Sequence, residues 1–163
     1  MDVIGRPLKI LLLILIVVFL GVFKAEIGLC QGCSMNATPI NFGNYDVFSS
    51  TPLDAIGTIT VNCSGYVGRA TVTLSQGSYG TFSPRRMKRS GGADLLDYNV
   101  YTNATRTAIF GDGTGGTSRI LPRRPPGPRV PWSASINMYG RIPAGQNVSV
   151  GTYSDTLTAT VTP

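Results

Sequence analysis

Histidine is absent from all 163 residues. The commonest general base and the commonest metal ligand are therefore missing together. Cysteine is almost absent: Cys30, Cys33 and Cys63 are the only three, too few for a four-cysteine zinc site. Charge is thin, at 13% of residues where about 25% is usual. Acidic groups are the scarcer sign, 8 Asp+Glu against 14 Lys+Arg, for a formal charge of +6. Glu26 is the single glutamate. These gaps remove the Ser–His and Cys–His pairs of nucleophilic catalysis. Two aspartates acting as acid and base remain conceivable. Asp94 and Asp97 are the nearest such pair, and an ordinary loop and strand start explains them equally well. The expectation is a protein without catalytic activity, metal or cofactor.

Turn formers are plentiful instead. The 20 Gly and 11 Pro make just under a fifth of the chain, short of the roughly 25–30% that marks low complexity.

Residues 10–23, ILLLILIVVFLGVF, carry no charge and follow Arg6 and Lys9. A membrane span needs about 20 apolar residues. A basic start with a shorter apolar run is the secretory pattern, so residues 1–32 read as a signal peptide and cleavage region. The cut falls after Cys30 or after Gly32. A retained membrane anchor and a lipidated cysteine are the weaker alternatives. Either cut leaves Cys33 and Cys63 as the only thiols, an even number in an oxidising compartment. Residues 33–163 then hold 11 Lys+Arg and 6 Asp, a net charge of +5. Membrane contact is expected only through the signal peptide.

After residue 32, period-two alternation dominates, as in strands with one buried face. In residues 156–162, TLTATVT, Leu157, Ala159 and Val161 share a face. In residues 58–63, TITVNC, Ile59, Val61 and Cys63 do so. Val72 and Leu74, then Leu96, Tyr98 and Val100, then Ile136 and Met138 form further sets. Short Thr/Val/Ile/Tyr runs separated by Gly, Pro, Asn and Ser point to one antiparallel sandwich or barrel.

Three stretches interrupt the alternation. Residues 83–92, SPRRMKRSGG, read as a basic loop. Residues 111–116, GDGTGG, read as an exposed turn, because no helix follows to make an anion site. Residues 121–131, LPRRPPGPRVP, read as an extended surface loop, since proline lacks the ladder donor. The Arg-rich segments and the pI of about 9.6 permit an acidic partner. No aromatics interleave with these arginines, and an exported chain rarely meets nucleic acid. They read as solvated loops, with an acidic surface glycan as the alternative and no nucleic acid.

The order of features carries a resemblance. Cys33 is followed by NFGNY at 41–45, then TPLDAIGTI at 51–59 leading to Cys63. LLDYNVY at 95–101, MYGRIPAGQ at 138–146 and GTYSDTL at 151–157 follow in turn. In this order the chain resembles the spore coat protein U family, related to pilins of archaic chaperone–usher pili. The Pro/Arg insertion at 121–131 departs from that pattern.

The resemblance implies an all-β, antiparallel immunoglobulin-like sandwich over residues 33–163 that lacks its last strand. A strand donated by another chain would complete it. It implies a structural subunit of a bacterial surface fibre. The partners would be a periplasmic pilus chaperone, an outer-membrane usher and neighbouring pilin subunits. The chain would pass through the periplasm to the cell surface, pilus or spore coat. The alternatives are a spore or cell-surface coat protein, or a tip adhesin contacting a surface or glycan. Cys33 and Cys63 would form the one disulfide, linking the first two strands. The groove would be walled by Ile59, Val61, Val72, Leu74, Leu157, Ala159 and Val161. Phe42 and Tyr45 would supply aromatic area. Gly43, Gly57, Gly140 and Gly151 would serve turns or bulges, and Asp54 and Asp155 would accept backbone hydrogen bonds at turns. With only Gln31 and Gly32 ahead of Cys33 after cleavage, the chain is expected to accept a strand without donating one and to sit at a fibre end.

Overall fold

A computed structural model describes residues 32–163, so the expected signal peptide through Gln31 lies outside the described residues. Among the described residues there are eight strands and no helix. They are β1 (Cys33–Thr38), β2 (Leu53–Cys63), β3 (Thr71–Leu74), β4 (Arg85–Arg89), β5 (Leu95–Tyr101), β6 (Trp132–Ile142), β7 (Tyr153–Ser154) and β8 (Ala159–Thr162).

Two antiparallel sheets form. The larger runs β1-β2-β6-β5-β4-β7 and the smaller pairs β3 with β8. The longest ladder joins β2 to β6, from Leu53 opposite Ile142 to Cys63 opposite Trp132. The alternating residues explain why these segments lie flat on a core. Ile59 and Val61 on β2, Ile136 and Met138 on β6, and Tyr98 and Val100 on β5 are buried. Val72 and Leu74 on β3 close over them from the second sheet, and Ala159 and Val161 pack in partly from β8. Fully burying one such aliphatic side chain stabilises by about 1.5–3 kcal/mol. Trp132 seals one end of the core, its indole N–H donating to the Val67 carbonyl at 2.7 Å.

The strand order identifies the architecture. A constant-type immunoglobulin domain has one sheet A-B-E-D and another C-F-G. Taking β1, β2, β3, β5, β6 and β8 as A to F gives A-B-E-D and C-F. Among the described residues nothing stands at G. The fold is thus an all-β immunoglobulin-like sandwich, with β4 and β7 as an added edge on the larger sheet.

Four local expectations are corrected. Residues 83–92 are not a loop: Arg85–Arg89 form β4, pairing Arg85 with Tyr98 and Met87 with Leu96. Arg85 and Met87 point inward and are buried. The last strand is shorter than the TLTATVT alternation, because Tyr153–Ser154 first pair with β4 of the larger sheet. The chain crosses between sheets at residues 155–158 and only then pairs with β3 as Ala159–Thr162. Asp54 stands within β2 and accepts both Arg141 Nε at 2.8 Å and Nη2 at 2.9 Å, with Arg106 Nε at 3.2 Å, so it is not a turn acceptor. Gly57 and Gly140 lie within β2 and β6 rather than in turns. A Cβ on Gly140 would stand 2.7 Å from Phe42 Cζ, and one on Gly57 2.8 Å from both Ile40 Cγ1 and the Thr38 carbonyl oxygen. These glycines make room for the segment that leaves β1.

Candidate functional site

The Cys33–Cys63 disulfide ties β1 to β2 at the first pair of their register. Beyond Thr38 the chain peels away and lays Ile40 and Phe42 over the glycine-lined part of the larger sheet. On the opposite side, residues 153–159 cross between the sheets. A cleft of about 420 Å³ opens between these two segments. Ala37, Pro39, Ile40 and Phe42 form one wall, and residues 153–157 with Ala159 form the other. Core side chains make the floor: Ile59, Leu74, Met87, Tyr98 and Met138. A second depression of about 810 Å³ shares Pro39, Ile40, Phe42, Met87 and Tyr153 with the first, so the two run on as one furrow.

The furrow is bordered by open strand edges. Among the described residues, β1 pairs only with β2 and β8 only with β3. Each therefore turns one row of backbone donors and acceptors away from its partner. Such an edge is a template for another strand.

Of the groove residues expected from the sequence, Ile59, Leu74, Leu157 and Ala159 come together at the cleft. Val61 and Val72 have no exposed surface and sit in the core behind it. Val161 packs partly against the core from β8 and is not among the cleft-lining residues. Pro39, Ile40, Met87, Met138 and Tyr153 were missed. Met87 lay inside an apparent basic loop, and Pro39 and Ile40 follow a strand with no local sign of what they cover. Phe42 meets Tyr98 edge-on, ring centres 6.1 Å apart at 74°. Tyr45 donates to the Pro143 carbonyl at 3.0 Å and accepts from Gln146 N at 2.9 Å.

The wall at residues 155–158 is held by polar contacts. Asp155 Oδ1 accepts from the Ser78 and Thr156 amides at 2.9 and 2.8 Å, and its Oδ2 from the Tyr98 hydroxyl at 2.7 Å. Ser75 N donates to the Thr158 carbonyl, and Thr158 N to Ser75 Oγ, both at 2.9 Å. Arg85 in turn grips the Ser75 carbonyl through Nε at 3.0 Å and Nη2 at 2.7 Å. Burial, followed by the bond to Asp155, pushes the Tyr98 phenol well above its ordinary range. The furrow is an apolar trough with a tethered rim, suited to gripping an extended chain. Among the described residues, no three His, Cys, Asp or Glu side chains gather as metal ligands would.

Comparison with known proteins agrees with this fold. Protein U of Myxococcus xanthus is 37% identical over 147 residues, covering 83% of this chain and 78% of that protein. A chain of the CsuC–CsuE chaperone–tip adhesion subunit pre-assembly complex, from archaic chaperone–usher Csu pili of Acinetobacter baumannii, superposes with a TM-score of 0.55. It is 22% identical, over 80% of this chain and 39% of its own length, so this chain spans about two-fifths of it and the likeness is one of fold. The Spore Coat Protein U domain matches residues 20–160. With the domain matched across nearly every described strand, this chain belongs to the Spore Coat Protein U domain family.

Proposed function

We propose that this chain is a secreted, non-enzymatic structural subunit of a bacterial surface fibre of the archaic chaperone–usher type, whose furrow accepts a strand from another chain. The observation that carries this reading is the trough between two open edges, floored by core side chains, at the place where a seventh immunoglobulin strand would lie. An extended segment there would bond to the open edge of β8 and place alternate apolar side chains over Ile59, Leu74 and Met138. Its donor would be a neighbouring pilin in the fibre and a periplasmic chaperone before assembly. An outer-membrane usher would pass the subunit to the surface, after the signal peptide is removed by a cut following Cys30 or Gly32. The fold shared with the chaperone–tip subunit complex supports this. The family description favours a second reading, a spore or cell-surface coat protein. A tip adhesin is the variant of the first in which loops contact a surface or glycan.

The test adds synthetic peptides with alternating apolar residues to the purified exported chain and follows thermal unfolding. A ligand at a hundred times its Kd stabilises by about 2.7 kcal/mol. A rise in Tm of several degrees is expected, abolished by Leu157→Asp at the wall. A chain that neither responds to any such peptide nor copurifies with a chaperone encoded beside it would overturn the fibre reading and leave the coat protein. The acceptor-only position is tested in the same samples. N-terminal sequencing should show a start after Cys30 or Gly32, and the chain should stay monomeric; spontaneous long homopolymers would show that it donates as well.

A further inference from the structure

The smaller sheet has two faces of opposite character. Ala70, Val72 and Leu74 line the inner face and are buried. The outer face collects arginine. The antiparallel bridges Arg69–Arg123 and Val72–Ile120 set residues 119–123 against β3, with Thr71 opposite Leu121 and Thr73 opposite Arg119. Side chains alternate along such a ladder, so Arg69, Arg119 and Arg123 point away from the core, and all three are exposed. On the other side of β3, Thr71 pairs with Thr162 and Thr73 with Thr160. The face therefore carries three guanidinium groups and four hydroxyls, with the exposed Leu121 between Arg119 and Arg123.

No carboxylate answers these cations. Among the described residues, Arg69, Arg119 and Arg123 enter no ion pair. Asp54, Asp94 and Asp97 are engaged by other arginines. Asp155 is bonded at the furrow, and Asp46 accepts the Phe48 amide at 2.9 Å. Asp112, on the turn beside Arg119, accepts Thr114 N at 2.8 Å and Thr114 Oγ1 at 2.6 Å. Arg69 and Arg123 stand directly opposite one another, a pairing of like charges that weakens a sheet unless an anion intervenes.

We propose that this face binds an acidic polysaccharide, the arginines taking carboxylate or sulfate groups along an extended chain and the threonines its sugar hydroxyls. Guanidinium forks match such oxyanions in pairs. Arg119 and Arg123, four residues apart, are separated by about 13 Å along the strand direction, a spacing for repeated contact with a polymer rather than for one small anion. No aromatic stands among residues 69–73, 119–123 or 159–162, so the stacking platform of single-stranded nucleic acid is missing. The inference rests on this sheet face alone and not on the strand-acceptor reading of the furrow.

The experiment measures binding of the exported chain to alginate, with neutral dextran and oligo-dT as the comparison polymers. Alginate should bind, and more weakly as salt rises, because exposed charges are screened. Dextran should not bind, and oligo-dT should bind less tightly than alginate. Arg69→Gln and Arg123→Gln should each weaken alginate binding about two- to fivefold, and the triple variant with Arg119→Gln by more than about tenfold. Lys88→Gln removes the same charge from β4 of the other sheet and should change binding by less than about twofold. Equal losses in Lys88→Gln and Arg123→Gln, salt-independent binding, equal binding of dextran, or tighter binding of oligo-dT would each overturn the proposal. The salt titration and polymer comparison use the unaltered chain, so they decide even if a variant folds poorly.

Discussion

Arg85 reads in the sequence as one more surface cation and is fully buried in the fold. Nε and Nη2 reach the Ser75 carbonyl, Nη2 also reaches the Phe110 carbonyl at 2.6 Å, and Nη1 donates to Asn99 Oδ1 at 2.7 Å. Its guanidinium also lies 5.4 Å from the centre of the Phe82 ring. Burial lowers its pKa, yet arginine starts so high that it stays charged. Arg85→Met strands the Ser75 and Phe110 carbonyls, while Asn99 Oδ1 keeps the Val100 amide, and stability in urea should fall by about 1–3 kcal/mol for each stranded carbonyl. A loss under about 1 kcal/mol would mean that these acceptors find other donors. Arg85→Lys should recover part of the loss, because an ammonium cannot reproduce the fork. The neighbouring Tyr98 adds a pH dependence. Its folded pKa is raised by burial and by Asp155, above an unfolded value of about 10. The sign follows: the fold favours the neutral phenol, its contribution is complete below about pH 10, and it is lost as pH rises further. Tyr98→Phe should flatten the alkaline limb in thermal scans from pH 8 to 11, while lowering neutral stability by about 1 kcal/mol.

Among the elements, β1 depends most on its tether. Most of its residues are exposed and it pairs on one edge only, so its own burial holds it weakly. The disulfide spans a sequence separation of 30, and closing a loop of this size stabilises by about 3–4 kcal/mol. Cys63→Ser should lower exported yield and leave β1 amides the first to exchange with solvent. Intact β1 protection in the reduced chain would show that the pairing alone suffices. Gly57 matters to the same wall. A Cβ there meets the Thr38 carbonyl oxygen at 2.8 Å, and backbone cannot swing aside as a side-chain tip can. Gly57→Ala should cost about 1–3 kcal/mol and displace residues 38–40, weakening any peptide response of the furrow. Unchanged stability and peptide affinity would mean that the segment shifts freely.

For the whole molecule, the open edges of β1 and β8 beside the furrow set the pattern of protection. β2 and β6 are paired on both sides and should carry the slowest amides. In β8, the amides not bonded to β3 should exchange quickly in the free chain and slow when a strand peptide occupies the furrow. Equal protection with and without peptide would place the occupant elsewhere. The same edges make the empty chain prone to aggregate, so its solubility should improve with the peptide bound.

Period two is a local property, and the sequence alone determines it. Ile59 with Val61, Leu96 with Tyr98 and Val100, and Ile136 with Met138 declare their strands and their buried faces without reference to any partner. The Cys33–Cys63 bond, expected from the resemblance, joins residues that the β1–β2 register sets opposite one another. β4 was illegible because RRMKR has one apolar residue, and its inward arginine is tolerated only where carbonyls from residues 75 and 110 converge. Gly57 and Gly140, expected at turns or bulges, instead make space for Ile40 and Phe42, a contact between residues far apart in the chain. The furrow and the arginine face are of the same kind: residues 37–42 meet 153–159, and Arg69 meets Arg123, only after long loops close. Alternation states which way each side chain points. Which strand edges are left without a neighbour is decided by how distant segments pack, and that is a property of the tertiary structure alone.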